Sequence, residues 1–257
     1  METVEHLIIG AGPAGLRAAQ ILAEAGREAL VAERHAEVGP KTCAGGLTRK
    51  TVAVLRAIGL PESAGLTQVG YVAFASGQAV VLDADRTTVV TIPRRELGSH
   101  QLGWARNAGA EVCPATSVTT IDLERRTARV GERPMRWRHL IGADGSDSAV
   151  RRALGLPRPR SCFAAEYNLP DMRLEPLRVE CDDTLAGGYF WVFPHESYTS
   201  IGAVAPKHRL RPALVRAYLD RRIERLGLSG HGRPLEAAAL EVDYRGLHFG
   251  GGVHLAG

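Results

Sequence analysis

Two kinds of hydrophobic alternation divide this chain. The first opens at the N-terminus, where the apolar run His6-Leu7-Ile8-Ile9 has the continuity of a buried parallel strand. From Ala14 to Ala25 an Ala- and Leu-rich spacing turns helical, and Ala29 to Ala32 supplies a second apolar strand. Arg34 to Leu47, with Gly39, Pro40, Gly45 and Gly46, reads as an irregular loop that runs over a site. Thr48 to Ile58 reads as a helix, with Thr48 as its N-cap and Gly59 just past its end.

Between Val69 and Ile92 the period drops to two. Gly70 to Ala75, Ala79 to Leu82 and Thr88 to Ile92 predict antiparallel strands, divided at Ser76-Gly77 and at Asp83 to Arg86. Pro93 stops this block, and Arg94 to Ala108 resumes helically with Leu97, Leu102 and Trp104-Ala105 on the buried face. Glu111-Val112-Cys113 predicts a strand returning to the parallel sheet. Ser117 to Asp122, Thr127 to Gly131 and Met135 to Ile141 predict a three-stranded meander, and Ser148 to Leu154 one or two helical turns. Further on, Cys162 to Leu169, Leu177 to Cys181, Gly188 to Phe193 and Ser200 to Val204 alternate as strands of an antiparallel sheet. Pro212 to Leu226 is the clearest helix of the second half, with Leu214, Val215, Tyr218, Leu219, Ile223 and Leu226 at three- and four-residue intervals. Ala238 to Tyr244 and Gly252 to Ala256 predict the last strands.

The pattern therefore predicts an α/β chain in two interleaved domains. Residues 1–68, 93–155 and 246–257 make a Rossmann-like domain whose parallel sheet carries the meander. Residues 69–92 and 156–245 make a mostly antiparallel-sheet substrate domain.

Composition changes this picture little. A chain of 257 residues, 45% hydrophobic and 23% charged, describes an ordinary globular protein. No run of eighteen apolar residues predicts a membrane span, and the first strand begins too early to leave room for a signal peptide. Four cysteines, at 43, 113, 162 and 181, lack paired spacing and predict reduced thiols in the cytoplasm. The net charge of +4 gathers in Arg133 to His139, Arg151 to Arg160 and Lys207 to Arg225 without interleaved aromatics, which argues against nucleic acid. A solvated basic surface is the favoured reading. Peripheral contact with an anionic membrane surface, or with an anionic lipid or NADPH phosphate, is the alternative. No metal-ligand pattern is visible. Of nine histidines only His195 invites attention as a proton donor, and a surface role is favoured for it.

The candidate chemistry starts at Gly10, Gly12 and Gly15, in G-x-G-x-x-G spacing between the first strand and the first helix. Gly10 permits the turn, Gly12 lets backbone approach a pyrophosphate, and Gly15 lets helix and strand pack closely. With Pro13 and Ala14 these residues place a pyrophosphate at the helix N-terminus, where free N–H groups and the dipole favour an anion. Glu33, eighteen residues past Gly15, is placed to accept from an adenosine ribose 2′-OH, with Arg34 beside it. A second motif runs from Leu140 to Arg151: an apolar strand ends at Asp144-Gly145, and a turn of small residues leads to Ser148 and Arg151.

At this point the chain resembles the FAD-dependent oxidoreductases of the p-hydroxybenzoate hydroxylase superfamily, whose D-G-x-x-S-x-h-R motif follows such a meander. The resemblance implies that Asp144 and Gly145 lie close to the FAD pyrophosphate, in a loop that NAD(P)H visits. A carboxylate has the wrong sign to meet phosphate directly, so Asp144 is expected to orient ribityl hydroxyls or backbone amides. Within the superfamily, Lys41 to Leu47 is similar to the K-x-C-G-G-G-L loop of the geranylgeranyl reductase family, with Ala44 replacing the first glycine. Gly188 to Pro194 matches that family's Y-x-W-x-F-P motif at every specified position.

That resemblance implies that Cys43, Ala44, Gly45 and Gly46 shape one side of the flavin, and that Tyr189, Trp191, Phe193 and Pro194 line the substrate cavity. On a regular strand Tyr189, Trp191 and Phe193 share one face. Geometry alone makes them inter-sheet core; the resemblance makes them a wall for an isoprenoid chain. Cys43 has two readings, a packing thiol or a catalytic thiol that tunes the flavin or assists proton delivery. The superfamily's R-x-x-F-D-x-x-L motif maps onto the start of the helix after Pro93. Arg94 aligns with Leu97 and Arg95 with Leu102, so either can be the arginine beside FAD, and Gly98 stands where the aspartate belongs.

The family's last strand continues into G-D-A-A-G, and this chain reaches Gly257 one residue before that aspartate, so a truncated C-terminus is expected. The implied function is an FAD-dependent reductase with NADPH or NADH as donor, acting on C=C bonds of a polyprenyl or lipid-like substrate. A flavin monooxygenase or halogenase on the same fold, or a truncated non-catalytic remnant, is the alternative. Substrate identity and oligomeric state are not written in the sequence.

Overall fold

Two sheets account for the two kinds of alternation. The computed structural model describes residues 1–74, 79–81, 88–228, 232–244 and 246–256. In chain order its elements begin β1 (Glu2–Ile9), α1 (Pro13–Glu24), β2 (Ala29–Ala32), β3 (Gly46–Thr48), α2 (Arg49–Ala57), β4 (Leu66–Phe74), β5 (Ala79–Val81) and β6 (Thr88–Thr91). There follow α3 (Arg94–Asn107), β7 (Glu111–Cys113), β8 (Val118–Asp122), β9 (Thr127–Val130), β10 (Arg133–Gly142) and α4 (Ala149–Ala153). The last are β11 (Ser161–Pro170), β12 (Leu177–Cys181), β13 (Tyr189–Pro194), β14 (Tyr198–Pro206), α5 (Pro212–Arg225), β15 (Glu236–Glu241) and β16 (Val253–Leu255).

The first compact unit comprises Met1–Pro40, Arg95–Pro159 and Tyr244–Gly257. Its sheet has the order β7-β2-β1-β10-β9-β8, with β16 also on β10. The pairs β7–β2, β2–β1, β1–β10 and β10–β16 are parallel, and the meander β8-β9-β10 is antiparallel. Strand β10 is long enough to divide one edge: Arg133 to Arg136 pair with β9, and Leu140 to Gly142 with β16. Both faces are covered, which is why β1 and β2 are apolar without alternation. Ile8, Val31 and Val112 pack with Leu16 and Ala19 of α1 on one side. Leu7, Ile9, Leu30 and Leu140 pack with Met135, Trp137 and Val150 on the other.

The second unit comprises Lys41–Arg94 and Arg160–Asp243. Its sheet runs β15-β11-β14-β13-β12-β4-β6-β3, with β5 on β4, and every pairing except β4–β12 is antiparallel. One face is closed by α5, whose Val215, Tyr218, Leu219 and Ile223 pack on Phe190, Val192, Ile201 and Ala203. On the other face Trp191, Ala164 and Val204 pack with Ala44, Cys162, Phe193 and Leu240.

The structure corrects the expected domain boundary at residue 68. Residues 41–68 belong with the second sheet, because Gly46 to Thr48 and Leu66 to Val69 both pair with β6. The expected loop over Arg34 to Leu47 thus contains the start of a strand. The expected Thr48 cap is present, with its side chain accepting from Thr51 N at 3.4 Å. Strand β15 ends at Glu241, short of the expected Tyr244. The turns expected at Ser76-Gly77 and at Asp83 to Arg86 lie outside the described residues.

Candidate functional site

Strand β1 delivers the glycine turn, and each glycine there is held for a different reason. Gly10 sits at φ +101°, and a Cβ on it would lie 2.4 Å from Ala143 O. A Cβ on Gly15 would lie 2.0 Å from Gly10 O, so helix α1 and the turn touch through backbone alone. Gly12 differs from both. Its φ of −74° suits any residue, and a Cβ there would meet nothing within 4 Å. Neither backbone strain nor packing among the described residues explains a glycine at 12. No side chain caps that helix, Pro13 opens it, and its first turn carries no acid, which leaves its N–H groups for an anion.

Glu33 follows β2 and is fixed by the backbone on both sides. Its Oε2 accepts from Ala11 N at 2.7 Å and its Oε1 from His35 N at 2.9 Å. Each oxygen keeps a second lone pair, so a ribose hydroxyl adds to this arrangement without displacing it. Arg34 is exposed, with Nε 3.2 Å from His35 Nε2.

Asp144 follows β10 and does orient backbone amides. Its Oδ2 accepts from Ala149 N at 2.6 Å and Val150 N at 3.3 Å, holding the first turn of α4. Ser148 Oγ caps the same helix by accepting from Arg151 N at 2.9 Å. The other carboxylate oxygen, Oδ1, is buried and has no partner among the described residues. Gly145 at φ +73° completes the turn.

The two candidate arginines differ in their partners. Arg95 is exposed and pairs with Glu37 at 2.5 Å. Arg94 is half-buried, and its Nε has no partner among the described residues. The glycine at position 98 also has a cause: a Cβ there would lie 2.3 Å from Gly39 Cα, so an aspartate would not fit against that loop.

In the second unit the glycine-rich loop meets the aromatic strand. A Cβ on Gly46 would lie 2.3 Å from Phe193 Cε2, and one on Gly45 (φ +75°) would lie 2.7 Å from His195 Cε1. Trp191 is buried, flat against Gly202 across the sheet, where a Cβ would lie 2.1 Å from its Cζ2. Tyr189 is 41% exposed, its ring 6.0 Å from that of Trp191. Partial burial raises the Tyr189 pKa, with smaller pushes from the nearby Cys43, Cys162 and Cys181 thiols. Tyr189, Trp191 and Phe193 therefore occupy the face that the loop covers, opposite α5. Pro194 O accepts from Thr91 Oγ1 at 2.6 Å, which ties the end of β13 to β6. Cys43 is exposed, and all four cysteines are free.

Two buried ionisable groups hold that loop, and the motifs did not reveal either role. Glu166 of β11 is 1% exposed, and its Oε1 accepts from Cys43 N at 2.7 Å. Its Oε2 accepts from Ser200 Oγ at 2.7 Å, and Ser200 Oγ accepts from Trp191 Nε1 at 2.9 Å. Burial pushes the Glu166 carboxyl up, opposed by those hydrogen bonds from Ser200 and Cys43. His195, expected at the surface, is instead fully buried and stacked on Tyr198 at 4.1 Å. Its Nε2 lies 3.0 Å from Ala44 O, which can only accept, so Nε2 carries the hydrogen and Nδ1 is left a buried acceptor with no partner among the described residues. Burial pulls its pKa down to about 4, so the ring is neutral at pH 7. The only sequence signal was a lone acid inside the apolar run Phe163 to Tyr167. Among the described residues no group of three or more His, Cys, Asp or Glu side chains could hold a metal ion.

A parallel sheet with a meander, an uncapped helix behind an open glycine turn, and a separate antiparallel sheet define a flavin-type dinucleotide-binding protein. The chain belongs to the FAD binding domain family, which its residues 3–225 match. Within that family it resembles the geranylgeranyl reductases, as the motifs implied. It is 31% identical over 238 residues to digeranylgeranylglycerophospholipid reductase 1 of Methanopyrus kandleri, covering 85% of this chain and 62% of that protein. It is 27% identical over 275 residues to a menaquinone reductase of Mycobacterium tuberculosis, covering 94% and 66%. In fold it is similar to a geranylgeranyl bacteriochlorophyll reductase-like protein of Thermoplasma acidophilum, with a TM-score of 0.84 at 23% identity over 99% of this chain and 70% of that one. The chain thus spans about two thirds of the length of these curated relatives.

Proposed function

We propose that this chain is the FAD-binding and substrate-contacting part of an NADPH- or NADH-linked reductase acting on C=C bonds of a polyprenyl or other lipid-like substrate. One observation carries the reading: the Cys43–Gly46 loop packs directly on the Tyr189–Trp191–Phe193 face, through Gly46 against Phe193 and Ala44 beside Trp191. Of the three rings Tyr189 stays 41% exposed, so the loop does not close the face completely. The names of the relatives support the substrate class, since both digeranylgeranylglycerophospholipid and menaquinone carry isoprenoid chains.

The residues present suit FAD. The open side of Gly12 and the N–H groups of α1 would take its pyrophosphate, Glu33 its adenosine ribose, and Asp144 Oδ1, which has no partner among the described residues, offers an acceptor for its remaining polar groups. FAD, when bound, supplies hydride transfer from the nicotinamide donor to the substrate alkene. The chain's own work is to bind, orient and exclude water: Trp191 and Phe193 offer a dry, apolar wall, and Tyr189 carries it toward solvent. Cys43 is the exposed thiol of the loop and the candidate for proton delivery. Peripheral contact of the basic patches with an anionic membrane, the alternative to a simply solvated surface, would bring the chain to such a substrate.

The test is anaerobic. FAD-loaded protein is reduced, a polyprenyl lipid is added, and the oxidised flavin spectrum should return without oxygen. Reoxidation that requires oxygen would point to a monooxygenase, and protein that binds no FAD would reject the reading for this chain.

A further inference from the structure

We propose that Glu166 is a positioning residue, a buried carboxylate that locks the Cys43 loop to the Trp191 wall so that the two are set as one surface. The inference rests on the flavin-reductase reading above. A carboxylate in a strand that needs only to pack is costly, and it is retained only where its hydrogen bonds are met. Glu166 is met from two directions by elements distant in sequence: the amide of Cys43, 123 residues earlier, and the hydroxyl of Ser200, 34 residues later. Ser200 in turn receives the indole N–H of Trp191.

The direction of donation makes the residue type matter. Indole donates to hydroxyl, hydroxyl to carboxylate, and amide to the same carboxylate from the other side, so every hydrogen points toward Glu166. A group that accepts on both of its terminal atoms closes such a chain without reversing any donor. A glutamine accepts on one and donates on the other; to keep Cys43 N on its oxygen it must donate to Ser200 Oγ, whose own hydrogen then leaves the chain, and its neutral oxygen is a weaker acceptor than the carboxylate. The consequences reach both sides of the proposed site. Cys43 has its main chain fixed while its side chain stays exposed, and Trp191 is held flat over Gly202. His195 fixes the next residue of the loop through Ala44 O, so the two bonds bracket the Cys43–Ala44 step.

Two readings that do not depend on turnover test this on the full, FAD-loaded chain. One is hydrogen exchange at the Cys43 amide; the other is the indole N–H resonance of Trp191, assigned by its loss in Trp191→Phe. The wild-type Cys43 amide should be protected in spite of its exposed loop. Glu166→Gln should speed its exchange by roughly tenfold or more and shift the indole resonance. Ser200→Ala should shift the indole while leaving the Cys43 amide protected. Glu166→Gln, assayed at saturating FAD, should also slow substrate-driven flavin reoxidation.

A wild-type Cys43 amide that exchanges as an unprotected loop would overturn the proposal, as would an indole unmoved in Ser200→Ala. Both remain decisive even where Glu166→Gln does not fold. If the protection and its loss are seen but wild-type flavin is not reoxidised by a polyprenyl lipid, the clamp stands and the reductase reading fails. If the lipid reoxidises the flavin at equal rates in wild type and Glu166→Gln, the clamp fails alone.

Discussion

Glu33 Oε2 accepts the Ala11 N–H at 2.7 Å, so the acid at the end of the second strand braces the glycine turn that follows the first. That bond gives Glu33 a role before any ribose arrives. Removing the carboxylate in Glu33→Ala leaves a half-buried amide without its partner, a loss on the order of 1–3 kcal/mol. The variant should therefore unfold at lower urea and also bind FAD more weakly. Glu33→Gln, which can still accept from Ala11, should recover most of the stability and less of the affinity. Urea midpoints beside FAD titrations separate the two, and an unchanged midpoint in Glu33→Ala would remove the bracing role.

The glycines of the turn should divide along the same line. Gly15→Ala puts a Cβ 2.0 Å from the Gly10 carbonyl, a backbone atom that cannot swing away, and should destabilise the fold by about 1–3 kcal/mol or more. Gly12→Ala meets nothing within 4 Å and has an ordinary φ, so its thermal midpoint should stay near that of the wild type. Its FAD affinity should nonetheless fall by roughly tenfold or more, because the methyl occupies the approach of the pyrophosphate. Equal effects of both substitutions on stability would contradict this division.

The parts of the molecule that were readable in sequence are those decided locally. Strand β1, helix α1 and strand β2 announce themselves because a strand buried on both faces must be apolar throughout and a helix against it must repeat near 3.6. Strand β3 did not, because its three residues are extended only by pairing with β6, and that pairing is what moves residues 41–68 into the second unit. Glu166, and the burial of His195, escaped for the same kind of reason. Each looks like an ordinary polar residue until the Cys43–Gly45 segment, more than a hundred residues away, closes over it. The aromatic alternation of Tyr189 to Phe193 fixed which side chains share a face. What covers that face could be read only from the fold.

His195 predicts a pH dependence of stability. Its pKa falls from 6.5 to about 4 on folding, so between those values the unfolded chain binds the extra proton. Its contribution is then present above pH 6.5 and is lost as the pH drops toward 4, a difference of about 3 kcal/mol for a group this deeply buried. Glu166 works in the opposite sense. Its raised pKa means that the folded state binds the proton first, which favours folding as the pH is lowered. Comparing urea midpoints of wild type and His195→Gln from pH 7 to pH 4.5 removes the carboxylates common to both. The variant should show the shallower loss on acidification. Parallel curves would mean that the ring titrates normally and is not buried against Ala44.

The contact between Gly46 and Phe193 is the observation on which the functional reading leans, and it can be measured by a double-mutant cycle. Gly46→Ala alone forces its methyl to 2.3 Å from Phe193 Cε2 and should cost about 1–3 kcal/mol. Phe193→Leu alone should cost less, since the ring is only partly buried. Made together, the smaller side chain leaves room for the methyl, and the combined loss should fall short of the sum by well over the 0.5 kcal/mol that separates coupled from independent sites. Additive losses would place the loop away from the aromatic strand. At saturating FAD the same double variant should respond more slowly to a polyprenyl lipid, so the cycle ties a stability measurement to the surface proposed to hold the substrate.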